Sequence, residues 1–95
     1  MHELAAFKES LKNQFPEKHL SPQLKSLWYD GKGDWHQAHE QIEKLNDKNS
    51  AWVHAYLHRK EGDQWNADYW YSKAGKTRPS ISLEAEWAYL VEQFL

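Results

Sequence analysis

The chain has 95 residues, no cysteine and a formal net charge of −2 when histidine is neutral. This length allows one domain, and the lack of cysteine excludes disulfides, thiolate metal sites and cysteine catalysis. Proteins that neutralise nucleic-acid phosphates carry a basic excess, which is absent here, so we expect no nucleic acid among the partners. We predict a single domain over residues 1–95.

The predicted helices are taken in chain order from the recurrence of apolar residues. The first is predicted from about Glu3 to Phe15, just before a proline. The second begins after Ser21, an N-cap followed by a proline in the first helical position, and it ends near Gly33. No segment approaches the roughly 18–20 apolar residues of a membrane span, and the N-terminus lacks the apolar run of a signal peptide. We therefore expect a cytoplasmic protein with no membrane association.

The later helices follow the same periodicity. The third is predicted to end near Leu45, the fourth to run from about Ala51 to Glu61, the fifth to end at Gly75 and the sixth to begin near Leu83. In the fifth helix, the expected inward side chains are Ala67, Trp70 and Ala74. The fold class is therefore predicted as all-α, with about six helices arranged as antiparallel hairpins.

Two Gly-Asp pairs join consecutive helices with almost no loop. They are Gly33-Asp34 and Gly62-Asp63, which lie 29 residues apart. Glycine can adopt the left-handed conformation that ends a helix, and aspartate can cap the helix that follows. An alanine follows each aspartate four residues later, which permits close helix approach. The spacing predicts a repeated helical hairpin, and the whole chain is interpreted as three hairpins with the outer helices capping the stack.

In this pattern, a helix is followed by Gly-Asp, then by three further residues and an alanine. The pattern resembles the tetratricopeptide and Sel1-like repeats and covers roughly residues 24–75. The resemblance implies a right-handed stack of hairpins with a concave groove for protein partners, and no chemistry. A second stretch is similar to a group of small uncharacterised bacterial proteins: it runs from Trp52 to Asp63 and continues from Asn66 to Tyr71. That similarity implies the same fold and no particular activity.

Three histidines are the strongest candidates for a ligand site. His54 and His58 share a face of the fourth helix, because they are four residues apart. A hairpin would bring His39 of the preceding helix beside them, whereas His36 points further out. We interpret them first as hydrogen-bonded rim residues, with a small-ligand or anion site and a metal site as the alternatives. Neither a metal nor another cofactor is expected.

Arg59 follows His58 directly and can bind a carboxylate or phosphate with two hydrogen bonds. Together with Lys60, His54 and His58 it would form an anion-binding corner. The alternative is a salt bridge to a nearby acid, for which Glu61, Asp63 and Asp68 are the candidates.

Aromatic residues are dense in the fifth helix, where Trp70 and Tyr71 fit the core. Trp65 and Tyr69 fall on another side and are candidate anchors for a binding partner, unless the last helix covers them. No catalytic sequence motif is present. The most favoured function is therefore a protein- or peptide-interaction module that is a monomer or a weak homodimer. The alternative is a small-ligand- or anion-binding protein, or an enzyme, that uses a cluster of histidine and arginine.

Overall fold

The structure is a computed structural model that describes residues 2–95, and within that range the chain forms six helices and no strand. The all-α prediction is confirmed. The longest helix has 14 residues, and none of the described helices is long and apolar enough to cross a membrane. The helices are α1 (His2–Ser10), α2 (Pro22–Gly31), α3 (Trp35–Ile42), α4 (Lys48–Glu61), α5 (Gln64–Ala74) and α6 (Leu83–Phe94).

The two Gly-Asp corners have the same backbone geometry. Gly33 and Gly62 have φ angles of 86° and 91°, in the left-handed region that favours glycine. At each corner, the N–H of the aspartate donates to the carbonyl five residues earlier, at 2.9 Å in both cases. The carboxylates of Asp34 and Asp63 then accept an N–H from the first turn of the next helix. Each corner thus ends one helix and caps the next.

Substitution at the second corner tests this account of the turns. We expect Gly62→Ala and Asp63→Ala each to lower the free energy of unfolding by about 1 kcal/mol, through backbone strain and the lost cap respectively. For a domain of this size, that corresponds to a fall in Tm of roughly 4–8 °C. Thermal unfolding followed by circular dichroism measures it. A Gly62→Ala variant as stable as the wild type would contradict the positive φ.

Helix α4 is the central helix of the fold. It packs against α5 and also contacts α2, α3 and α6, while α2 packs against α3. The predicted α2–α3 and α4–α5 hairpins are therefore present, whereas the outer helices α1 and α6 contact each other. The main core is built from Phe7, Leu24, Leu27, Trp28, Ala38, Ile42, Val53, Tyr56, Leu57, Trp87, Leu90 and Val91.

The prediction for the first helix is wrong at its C-terminal end. Helix α1 stops at Ser10 rather than Phe15, and side chains from α2 and the residue after it bind the carbonyl groups of Ser10 and Leu11. The indole N–H of Trp28 donates to the Ser10 carbonyl at 3.3 Å, and the Lys32 ammonium donates to the Leu11 carbonyl at 2.7 Å. Phe15 consequently lies outside the core, with 68% of its surface exposed.

Two further boundaries differ from the sequence-based expectation. Helix α3 ends at Ile42, three residues before the predicted Leu45. Helix α4 begins at Lys48 rather than Ala51, because the Asp47 carboxylate accepts the Ser50 N–H at 3.0 Å and caps the helix one turn earlier. The earlier start lengthens the helix that carries two of the candidate histidines.

Of the two aromatic rings of α5 that were expected in the core, only one is fully buried. Ala67, Ala74 and Tyr71 are buried as predicted. Trp70 is only half-buried, and its ring lies against His54 of α4. This orientation makes Trp70 part of the histidine site.

Candidate functional site

The packing of α3 against α4 brings three of the six histidines together. His39 lies on α3, and His54 and His58 lie on successive turns of α4. One ring nitrogen of each of the three lies within 4.8 Å of those of the other two. His36, on the same helix as His39, is exposed and outside the group. We call His39, His54 and His58 the histidine cluster.

All three members of the histidine cluster contact one another, and the His39 and His58 rings meet edge to face with centroids 5.4 Å apart. The Nε2 atoms of His39 and His54 are 2.9 Å apart, a hydrogen-bonding distance. The rings of His54 and His58 are stacked, with their centroids 4.8 Å apart. The cluster therefore joins α3 to two turns of α4 through ring contacts alone.

Two carboxylates contact the Nδ1 atoms of His39 and His58. Glu43, one turn after His39 on the chain, lies 3.0 Å from the Nδ1 of that ring. Glu61 lies 2.7 Å from the Nδ1 of His58. A carboxylate can only accept, so both Nδ1 atoms carry the proton, and in a neutral ring the Nε2 atom is left with a free lone pair. The two glutamates thus fix which nitrogen of each ring is available to a ligand.

The tautomer of His54 follows from that of its neighbour. Since the Nε2 of neutral His39 is an acceptor, the Nε2 of His54 donates to it, and the Nδ1 of His54 has no proton. This Nδ1 atom is buried and has no hydrogen-bond partner. A buried polar atom without a partner is uncommon in folded proteins and costs free energy.

Tryptophans enclose the cluster on two sides. The ring of Trp35 stacks on His39 with a centroid separation of 4.9 Å, and Trp70 stacks on His54 at 3.9 Å. The indole N–H of Trp35 donates to the Leu57 carbonyl at 2.9 Å, which fixes that ring against α4. As a result, His54 is only 4% exposed, whereas 22% of the His39 side chain and 11% of the His58 side chain reach solvent.

Burial keeps the rings of His54 and His39 neutral at physiological pH. It lowers the pKa of His54 to about 3, with smaller contributions from the neighbouring charges of His39 and His58. Burial also lowers the pKa of His39, although Glu43 opposes that effect. Neutral imidazole is the form that accepts protons and binds metal ions.

The structure does not place Arg59 in the histidine cluster. Its guanidinium donates to the Glu86 carboxylate of α6 at 2.7 Å and also to the Ile81 carbonyl. None of the acids suggested by the sequence is its partner; the partner is Glu86, 27 residues away. The Tyr71 hydroxyl donates to the second oxygen of the same carboxylate. This buried network links α4, α5 and α6, and no free guanidinium remains there to bind an anion.

The two exposed aromatic candidates lie on the outer face of α5. Trp65 is 78% exposed and Tyr69 is 48% exposed, so the last helix does not cover them. Their rings are nearly parallel, with centroids 6.5 Å apart, and the Lys73 ammonium lies 5.4 Å from the Tyr69 ring centre. Because residues 65, 69 and 73 are four apart, they form one stripe along the helix. We call Trp65, Tyr69 and Lys73 the α5 stripe.

Sequence reasoning found some of the residues that complete the histidine site and missed others. Glu61 lies three residues after His58, and Trp35 four residues before His39, so spacing within one helix places each beside its histidine. Glu43 was missed, although it lies four residues after His39 and its spacing was a usable signal. Trp70 gave no such signal, because its contact with His54 depends on how α5 packs against α4.

Comparisons with known proteins do not assign this site. No protein-family model, curated protein or solved structure matches the chain. The resemblance to tetratricopeptide and Sel1-like repeats therefore stays a prediction, and function is argued from the residues themselves.

Proposed function

We propose that this chain is a peptide-interaction module that binds an acidic segment of another protein along the α5 stripe. The observation that carries the proposal is the exposure of Trp65, whose ring stays in solvent while the other face of its helix packs on α4. Large exposed aromatic rings are typical anchors of protein interfaces, where their burial contributes most of the binding energy. Tyr69 extends the same apolar surface toward Lys73.

Charge at the C-terminal end of the α5 stripe favours an acidic partner. The Lys73 ammonium lies beside the rings of Tyr69 and Trp70, and it forms no ion pair with a carboxylate of the described residues. Lys76 lies 4.3 Å from the Trp52 ring centre. The acid of this helix, Asp68, is paired with Arg78 at 3.0 Å. An apolar side chain of the partner would contact the two stacked rings, and a neighbouring carboxylate would meet the lysines.

A displayed library of random peptides tests this proposal directly. We expect selection on the wild-type protein to enrich peptides that combine aromatic or aliphatic residues with aspartate or glutamate. Trp65→Ala is expected to weaken a selected peptide by about 30-fold, the effect of losing about 2 kcal/mol at an interface anchor. Affinity is measured by fluorescence polarisation with labelled peptide.

A matched control uses another exposed aromatic residue. Phe15 is 68% exposed in the link between α1 and α2, so Phe15→Ala removes a comparable ring without touching the α5 stripe and should leave affinity unchanged. Peptides that bind Trp65→Ala as tightly as the wild type would refute the proposal. So would light scattering that shows a dimer which Trp65→Ala dissociates, because a second copy would then occupy the stripe.

A further inference from the structure

Three imidazole rings meet in the histidine cluster, and carboxylates already engage the Nδ1 atoms of His39 and His58. We propose that His39, His54 and His58 together bind one divalent transition-metal ion, for which zinc is the best fit. The proposal is independent of the α5 stripe, because it concerns the ring nitrogens between α3 and α4. It goes beyond the favoured interpretation of the sequence, in which a metal site was only an alternative.

The distances between the rings suit a tetrahedral ion after a small adjustment. Zinc binds imidazole nitrogen at 2.0–2.1 Å, so two nitrogens of one tetrahedral site lie about 3.3 Å apart. In the structure, the separations between the candidate ring nitrogens span 2.9 Å, for His39 and His54, to at most 4.8 Å. These values bracket the required separation.

The carboxylates provide the outer partners that metal-binding histidines need. A ligating histidine almost always donates its second ring N–H to a carboxylate, a carbonyl or water, which orients the ring and raises its basicity. Glu43 and Glu61 play this part for His39 and His58, and both leave Nε2 as the atom available for the metal. Carboxylates in this position also favour a cation over an anion at the centre of the cluster.

Without an ion, the ring nitrogens of the histidine cluster have too few hydrogen-bond partners, and a bound ion would supply another partner. The Nε2 atoms of His39 and His54 share a single proton in their hydrogen bond, and the buried Nδ1 of His54 has no partner among the described residues. An ion that replaces the shared proton would bind one ring nitrogen of each of the three histidines at once. The partial exposure of the His39 side chain provides a route for the ion to enter.

The ligand set indicates the class of ion and the kind of site. Imidazole ligands suit zinc, copper, nickel and iron, and the absence of cysteine from the chain excludes thiolate-rich sites. Three histidines leave one position of a tetrahedral ion for water or for a ligand from solution. The stacked tryptophans shield the rings from water on two sides, which would strengthen the interaction.

Metal titration of the untagged protein tests the proposal. We expect one zinc ion per chain by isothermal titration calorimetry, and an intense visible absorption with cobalt, as tetrahedral cobalt sites show. At a zinc concentration a hundred times the Kd, Tm should rise by roughly 10–20 °C. His39→Ala and His58→Ala should each abolish zinc binding, the cobalt absorption and the rise in Tm. His36→Ala removes an exposed histidine from the same helix as His39 and should leave all three unchanged.

Two milder substitutions test the site without removing a histidine ligand. Glu61→Gln and Glu43→Gln each keep the size of the side chain and the histidine ligand, and we expect each to weaken zinc binding by about 10- to 100-fold. Circular dichroism of the metal-free variants checks that they are folded. The proposal is overturned if the folded wild type binds neither ion, if His36→Ala loses binding as fully as His39→Ala, or if both glutamine variants bind zinc as tightly as the wild type.

Discussion

Arg59→Ala is expected to lower the free energy of unfolding by about 3–5 kcal/mol, the usual cost of removing one partner of a buried ion pair. Glu86 is only 3% exposed at its side chain, and its two oxygens are bound by Arg59 and by the Tyr71 hydroxyl. Without the guanidinium, a buried carboxylate loses its counter-charge. The lost hydrogen bond to the Ile81 carbonyl would also release the segment between α5 and α6.

Urea unfolding followed by circular dichroism measures this loss. Small domains have a total stability of about 5–15 kcal/mol, so the variant should unfold at much lower urea or be partly unfolded without it. Arg78→Ala is the matched control, because Arg78 pairs with Asp68 at the surface and exposed pairs contribute about 0–1 kcal/mol. In an Arg59→Ala background, Glu86→Gln should restore part of the stability by removing the uncompensated charge. Equal losses for Arg59→Ala and Arg78→Ala would contradict the network.

The second large effect is a loss of stability in mild acid, measured on metal-free protein in the presence of a chelator. The pKa of His54 is about 3 in the folded state and 6.5 when unperturbed. Between these values the unfolded chain holds a proton that the folded chain does not, so stability falls as pH decreases through this window. From pH 7 to pH 5, His54 alone should cost about 2 kcal/mol, and His39, whose pKa is also lowered, should add to it.

The groups around His54 explain the direction of this effect. His39 reaches it from α3, His58 stacks on it from its own helix and Trp70 covers it from α5. A proton on His54 would therefore face two other imidazoles and an indole ring, with little water to solvate it. Glu43 and Glu61 bind the other two rings.

Urea unfolding at pH 7, 6 and 5 measures the slope of stability with pH. His54→Phe keeps a ring beside Trp70 and removes the titrating group, so its stability should depend less on pH than that of the wild type. His19→Ala changes an exposed histidine and should keep the wild-type slope. A wild type equally stable at pH 7 and pH 5 would show that His54 is not buried as described.

The features that sequence predicted well are those set by neighbouring residues. The Gly-Asp corners depend on a glycine with positive φ and an aspartate cap, and both are local. The helical wheel also indicated that His39, but not His36, would approach His54, because His36 points further out from the same helix. Six helices were therefore predictable, together with the three histidines that converge.

The features that sequence did not predict depend on distant residues. The end of α1 is set by Trp28 and Lys32, which lie about twenty residues further along the chain. The partner of Arg59 is 27 residues away on α6, so the nearer acids were the natural but wrong candidates. Tyr71 is more deeply buried than Trp70, and its hydroxyl donates to the carboxylate of Glu86, an acceptor on α6 that the nearby sequence did not indicate.

The account depends most on the claim that the corner between α2 and α3, and the packing of α3 on α4, assemble three imidazoles into one metal site. Crystals soaked in zinc and measured at the zinc absorption edge test it most directly. We predict a single strong anomalous peak, 2.0–2.1 Å from one ring nitrogen of each of His39, His54 and His58. A peak elsewhere, or zinc-soaked crystals in which the three rings surround no anomalous density, would contradict the account.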